Sequence, residues 1–146
     1  MSLVDRTITA MSELRFLEET PEPEEFLAMR ARAEMSPRSI EAARVGLPNT
    51  LYAVCVRDGE QLVAMGRVVG DGGLNFEVVD MAVDPRYQRR GIGYRIMEML
   101  VAYIRATAEP TAYVSLIADD HAPALYAKFG FTPTAPVSIG MSLTID

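Results

Sequence analysis

The run Val78-Val79-Asp80-Met81-Ala82-Val83-Asp84-Pro85-Arg86-Tyr87-Gln88-Arg89-Arg90-Gly91-Ile92-Gly93 constrains this chain more than any other part of it. An apolar strand passes through Asp84-Pro85 into a short basic turn with two glycines, and the turn opens a long helical stripe. A helix that starts in this way leaves its first amide groups without intrahelical partners and carries the positive end of the helix dipole. Glycines there let an anion come close to the backbone. Two familiar phosphate loops are excluded by residue. A dinucleotide fingerprint needs a small residue where Ile96 stands, and no Gly-Lys-Ser/Thr follows the glycines.

The chain of 146 residues predicts one domain over 1–146 with a core large enough to need neither staples nor metal. Cys55 is the single cysteine and lies in the strand-like run 51–56, so it reads as a packed thiol in a reducing compartment. One histidine and no cysteine pair give no zinc pattern, and no metal is expected. No apolar stretch is long enough to span a membrane, and Met1-Ser2-Leu3-Val4-Asp5-Arg6 does not open a secretory signal, which predicts a cytoplasmic protein without a membrane partner. The net charge of −6 argues against a nucleic-acid surface.

Periodicity predicts the element order. A short strand at 13–18 is followed by a helix from Pro23 to about Met35. A second helix has Ser36 as N-cap and Pro37 at its first position, and ends at Gly46. Strands at 51–57, 61–69 and 74–83 form a meander through the turns Asp58-Gly59-Glu60 and Asp71-Gly72-Gly73. The helix after Gly93 buries Ile92, Ile96, Met99, Leu100, Tyr103 and Ile104. A strand at 112–118, a helix at 123–129 and final strands at 131–132 and 137–145 complete the chain. The strand–helix–strand passage makes the strands near residues 80 and 115 parallel neighbours.

Gln88-x-x-Gly91-x-Gly93 resembles the pyrophosphate turn of the GCN5-related N-acetyltransferases, and Leu125-Tyr126-x-x-x-Gly130-Phe131 resembles their second signature. The element order is similar to theirs over nearly the whole chain. The resemblance implies an α/β (α+β) fold: a mixed, mostly antiparallel central sheet of about seven strands, with a splayed parallel pair, flanked by about four helices. It also implies acetyl-CoA as co-substrate. The backbone of Met81, Ala82 and Val83 would pair with the pantetheine arm, the amide of Met81 would face the thioester oxygen, and Gln88, Arg89, Arg90, Gly91, Ile92, Gly93 and Tyr94 would surround the pyrophosphate. Tyr126 would protonate the departing thiolate. Asp119, seven residues earlier, would sit on the cofactor side where many relatives carry Asn, and as a residue it suits a helix N-cap.

Acetyl transfer needs a neutral amine, a donor for the oxyanion and a proton for the thiolate. Glu77, six residues before Val83, is the candidate base, as in some family members. Asp80 is its rival, on the opposite face by strict strand alternation unless a bulge changes the parity. A structural carboxylate, paired for instance with Arg67, is the competing reading for both. His121 reads as an exposed residue near a helix start. The acceptor would be a small-molecule or peptide amine, met by Met29, Arg30, Met35, Tyr52, Met65, Arg67 and Met141; Arg30 or Arg67 could read a carboxylate on it. A silent acyl-CoA sensor or an interaction domain is the alternative class. The alternating run 137–145 should form a sheet edge, which makes a homodimer a candidate assembly.

Overall fold

The computed structural model describes residues 13–119 and 122–146. Five strands form one sheet in the order β1-β2-β3-β4-β5: β1 (Arg15–Leu17), β2 (Tyr52–Asp58), β3 (Gln61–Gly70), β4 (Asn75–Val83) and β5 (Tyr113–Ser115). The first four pair antiparallel, whereas β4 and β5 are parallel, as the crossover between them requires. Four helices flank the sheet: α1 (Pro23–Arg32), α2 (Ile40–Gly46), α3 (Ile92–Thr107) and α4 (Pro123–Ala127).

The expected architecture of a mixed sheet with a parallel pair is present, but with five strands rather than about seven. Residues 131–146 carry no strand. Alternation alone cannot make one there, because a strand exists only by pairing. The start of α2 also differs. Ser39, not Ser36, caps it, its hydroxyl accepting from the Ala42 amide at 3.0 Å. Ser36 instead serves Arg30, its carbonyl accepting at 3.2 and 2.9 Å. Pro23 does open α1, and the Glu22 amide donates to Glu25 at 2.9 Å.

Each face of the sheet carries its own core. Val54, Val56, Val68, Phe76 and Val78 meet Ile92, Ile96, Met97 and Leu100 of α3, together with Tyr126 of α4. On the other face Phe26 and Met29 of α1 and Ala43 of α2 cover Cys55, Leu62, Met65 and Ala82. Successive residues of β2 are therefore buried on two sides, one helix layer per face, whereas the first half of β4 alternates between buried Phe76 and Val78 and exposed Asn75 and Glu77. The Cys55 thiol is fully buried, donates to the Glu19 carbonyl at 3.2 Å, and is pushed up to about 12 chiefly by burial, consistent with a packed, unreactive thiol.

Gly66 fixes how closely α3 lies on the sheet. A Cβ at this position would come within 2.6 Å of Met81 Sδ and 2.8 Å of Ile96 Cγ2, so any larger residue must displace these two side chains.

Candidate active site

Two irregularities in β4 shape the site. Met65 pairs with Ala82 and Arg67 with Val79, so Gly66 alone opposes both Asp80 and Met81. This is a β-bulge, and Asp80 takes the positive φ of 56° that it requires. The bulge changes the side-chain parity, which corrects the strict-alternation expectation. Val79 and Asp80 both turn to the α1/α2 face, and Met81 returns to the α3 face beside Gly66. Glu77 and Asp80 thus share a face instead of opposing one another.

The second irregularity is the early end of the parallel pair. Pairing between β4 and β5 covers only Asn75 with Tyr113, Phe76 with Val114 and Glu77 with Ser115, while β4 continues to Val83. Val78 to Val83 therefore present a strand edge without a pairing partner among the described residues. The amides and carbonyls along such an edge can take an extended ligand as an added strand.

The turn at the end of this edge is built as the sequence suggests. Gly91 is the N-cap of α3 at φ 80°, a left-handed value suited to glycine, and it offers no side-chain oxygen to the first amides of the helix. Arg89 is also left-handed, at φ 64°. A Cβ on Gly91 would meet nothing within 4 Å, so its requirement is conformational and the space above it is open. Asp84, almost fully buried, accepts from the Arg86 amide at 2.9 Å and from Arg32 Nε at 2.9 Å, which anchors the strand end to α1. The Arg86 guanidinium and amide beside it, with Arg32, hold its carboxyl below the usual range. Gln88 Nε2 donates to the Val83 carbonyl at 3.1 Å and closes the turn onto β4. Tyr87, whose hydroxyl donates to Asp58, receives the Arg90 guanidinium over its ring at 5.2 Å.

Helix α4 packs against the start of α3. The Tyr94 and Phe129 rings lie 4.9 Å apart, and a Cβ on Gly93 would touch Leu125 at 3.7 Å. Tyr126, nearly buried, belongs to the same core cluster as Ile92, against which Met81 packs. Burial, and then Asp119, push its phenol upward, so it stays protonated at neutral pH. Asp119 does not cap α4, contrary to expectation. Ala122 occupies the N-cap, and the Asp119 backbone carbonyl accepts from the Ala122 amide at 2.8 Å. His121 and Asp120 lie outside the described residues.

On the α1/α2 face a cavity of about 210 Å³ reaches the bulge. Phe26, Leu47, Val69 and Val79 give it apolar walls, and Arg38, Arg67 and Asp80 give it charge. Of the two carboxylates read as possible partners of Arg67, Asp80 forms the pair and Glu77 does not. Arg67 Nε donates to Asp80 Oδ2 at 2.8 Å, and Arg30 Nη1 donates to Asp80 Oδ1 at 2.6 Å. Asp80 is thereby tied on both oxygens, while Glu77 is exposed and two positions from the cavity wall at Val79. Of the other residues expected at the acceptor, Met29 and Met65 are core and Met141 is exposed on the terminal segment. Tyr52 stacks on Tyr103 of α3 at 4.5 Å, on the opposite face. Phe26 and Arg38 were not singled out for the site by the sequence. Phe26 falls within the helix expected from Pro23 to about Met35 without any further mark, and no motif marks Arg38.

The profile of the acetyltransferase (GNAT) domain matches residues 48–133, which include the bulged strand, the turn and Tyr126. This chain belongs to the GNAT acetyltransferase family. A probable acetyltransferase of unknown function from meticillin-resistant Staphylococcus aureus shares 45% identity with it, covers 90% of this chain and 99% of its own, and superposes with a TM-score of 0.87. A GNAT family protein from Streptococcus pneumoniae has the same fold at 23% identity, with 91% and 98% covered and a TM-score of 0.73. The rice (Oryza sativa subsp. japonica) chloroplastic serotonin N-acetyltransferase 2 is 34% identical over 80 residues, 55% of this chain and 39% of that protein. The chain thus spans about two fifths of that curated relative and 30% of a chloroplastic GCN5-related N-acetyltransferase 2 from Arabidopsis thaliana. Membership in this GNAT family implies acetyl-CoA as co-substrate. No described helix of this GNAT chain is long and apolar enough to cross a membrane.

Proposed function

We propose that the protein transfers the acetyl group of acetyl-CoA to the primary amine of a small molecule, by direct attack while both are bound. The carrying observation is that β4 runs six residues past its last pair with β5 and ends at an uncapped helix start. An extended, pyrophosphate-bearing ligand needs both features at once: a strand edge for its amide-containing arm and free amides for its phosphates. The residues fit acetyl-CoA on this count. Met81, Ala82 and Val83 would hold the arm, the amides from Arg89 to Tyr94 the pyrophosphate, and bound acetyl-CoA supplies an activated thioester.

In this reading Glu77 takes the proton of the attacking amine through water, since Asp80 has both oxygens engaged by arginines. The Met81 amide donates to the oxygen that gains charge. Tyr126, kept protonated by its surroundings, gives its proton to the sulfur as the carbon–sulfur bond breaks. The new carbon–nitrogen bond, the proton taken by Glu77 and the proton given by Tyr126 balance the transfer. The deciding experiment is thiol release from acetyl-CoA in the presence of a panel of amines, alongside calorimetric binding of CoA. Binding without turnover on any amine would instead favour an acyl-CoA sensor.

A further inference from the structure

We infer that the acceptor is a primary amine carrying its own anionic group, of amino-acid size; this rests on the acetyl-transfer reading. The cavity beside the bulge has guanidinium groups from Arg38 and Arg67 in its walls and Arg30 directly behind Asp80. Among the described residues Asp80 is the only carboxylate lining it, and that charge is already shared by Arg30 and Arg67. The lining is therefore positive on balance. A polycationic amine is repelled there, and an uncharged one leaves Arg38 unused. Arg38 is exposed, makes no ion pair among the described residues and sits on the connection between α1 and α2. A carboxylate or phosphate at Arg38 gains a charge-assisted, two-pronged partner. Glu77, by contrast, belongs to β4 and lies two positions from the wall residue Val79, so the anion-binding and amine-accepting groups come from different elements, as a zwitterion requires. Phe26, Leu47, Val69 and Val79 accommodate a short apolar body. At about 210 Å³ the cavity is smaller than pockets for drug-sized ligands, which run from about 300 Å³ upward.

The test uses pairs of acceptors differing only in the anion: L-leucine against 3-methylbutylamine, and phosphoethanolamine against ethanolamine, with spermidine as the polycation. At least one anionic member should exceed its partner by tenfold or more in kcat/KM, and the better pair tells carboxylate from phosphate. Arg38→Gln should erase that ratio through KM of the anionic member while leaving the uncharged amine and the Kd of acetyl-CoA unchanged. A preference for uncharged amines or spermidine, or an equal loss with both members of a pair, overturns the inference. Calorimetry of L-leucine and phosphoethanolamine without acetyl-CoA separates the two claims. Arg38-dependent anion binding by a protein that does not bind acetyl-CoA keeps this site and removes the transfer reading, and its absence there removes both.

Discussion

Arg30 Nη1 lies 2.6 Å from Asp80 Oδ1, joining α1 to the bulge of β4 across fifty residues of sequence, and both side chains are nearly buried. Arg67 takes the other carboxylate oxygen at 2.8 Å. A residue with φ of 56° in a strand is strained unless its surroundings over-determine it, and these two guanidiniums do so. Asp80→Asn keeps the shape and removes the charge that balances them. The expected loss is about 3–5 kcal/mol of stability, the usual effect of breaking a buried pair from one side, read by denaturant unfolding.

Gly93→Val tests the phosphate turn more cleanly than Gly91→Val. Gly91 has a positive φ, so a side chain there is strained whatever the space, whereas a Cβ at position 93 makes an ordinary 3.7 Å contact with Leu125. Binding of acetyl-CoA by calorimetry should be lost in Gly93→Val with a melting temperature close to wild type. Unchanged affinity in the folded variant would remove the turn from the binding site.

Tyr126→Phe retains the ring, which lies 6.3 Å from Phe131 in an edge contact, and removes only the hydroxyl. Turnover should fall by roughly 10²-fold with CoA affinity unchanged, the low end of what positioned proton transfer supplies. An acyl donor with a more acidic thiol should recover part of that loss in the variant and little in wild type. Because the phenol is pushed upward, its titration should not limit activity around neutral pH.

Acid should act on Asp84. Its folded pKa is lowered by the Arg86 side chain and amide, with Arg32 adding to the effect, so its contribution is complete above the unfolded value of about 3.9 and is lost as pH falls toward the folded value. Asp84→Asn should be less stable at pH 7, by about 1–3 kcal/mol, since Asp84 is buried but its arginine partners are part exposed. Its stability should also fall less steeply between pH 5 and pH 3. Parallel curves for the two proteins would place the acid sensitivity elsewhere.

Glu77→Gln should reduce turnover chiefly on the acid limb of the pH–rate profile without altering CoA affinity, since the base must be ionised to work. A wild-type rate in this variant would leave the amine proton to solvent, because Asp80 is committed to Arg30 and Arg67.

Periodicity read the helices and the meander because burial on both faces of a sheet imprints itself on alternate residues. The turn was legible because Gly91 has a conformational reason to be glycine. The bulge could be raised only as an alternative, since Arg30 and Arg67, which hold Asp80 there, are distant from it in sequence and meet it only in the fold. Ser36 looked like a cap for the same reason: a serine before a proline has the local form of a helix start, and only the presence of Arg30 diverts it. Val137 to Ile145 have the alternation of a strand but, among the described residues, no partner to pair with, and alternation does not reveal that. The cavity escaped notice because Phe26 and Arg38 are ordinary residues in isolation.

The bare hydrogen at Gly66 also reaches beyond its own neighbours. It faces α3, and the first turn of α3 is the turn proposed to hold the phosphates. A single added methyl must push aside the Met81 sulfur and the Ile96 methyl, and if the helix gives in their place the amides of Ile92, Gly93 and Tyr94 move with it. Cofactor affinity would then respond to a substitution on a buried strand that no cofactor touches. For anyone redesigning this chain, the grip on an anion is calibrated from beneath, by an absent side chain.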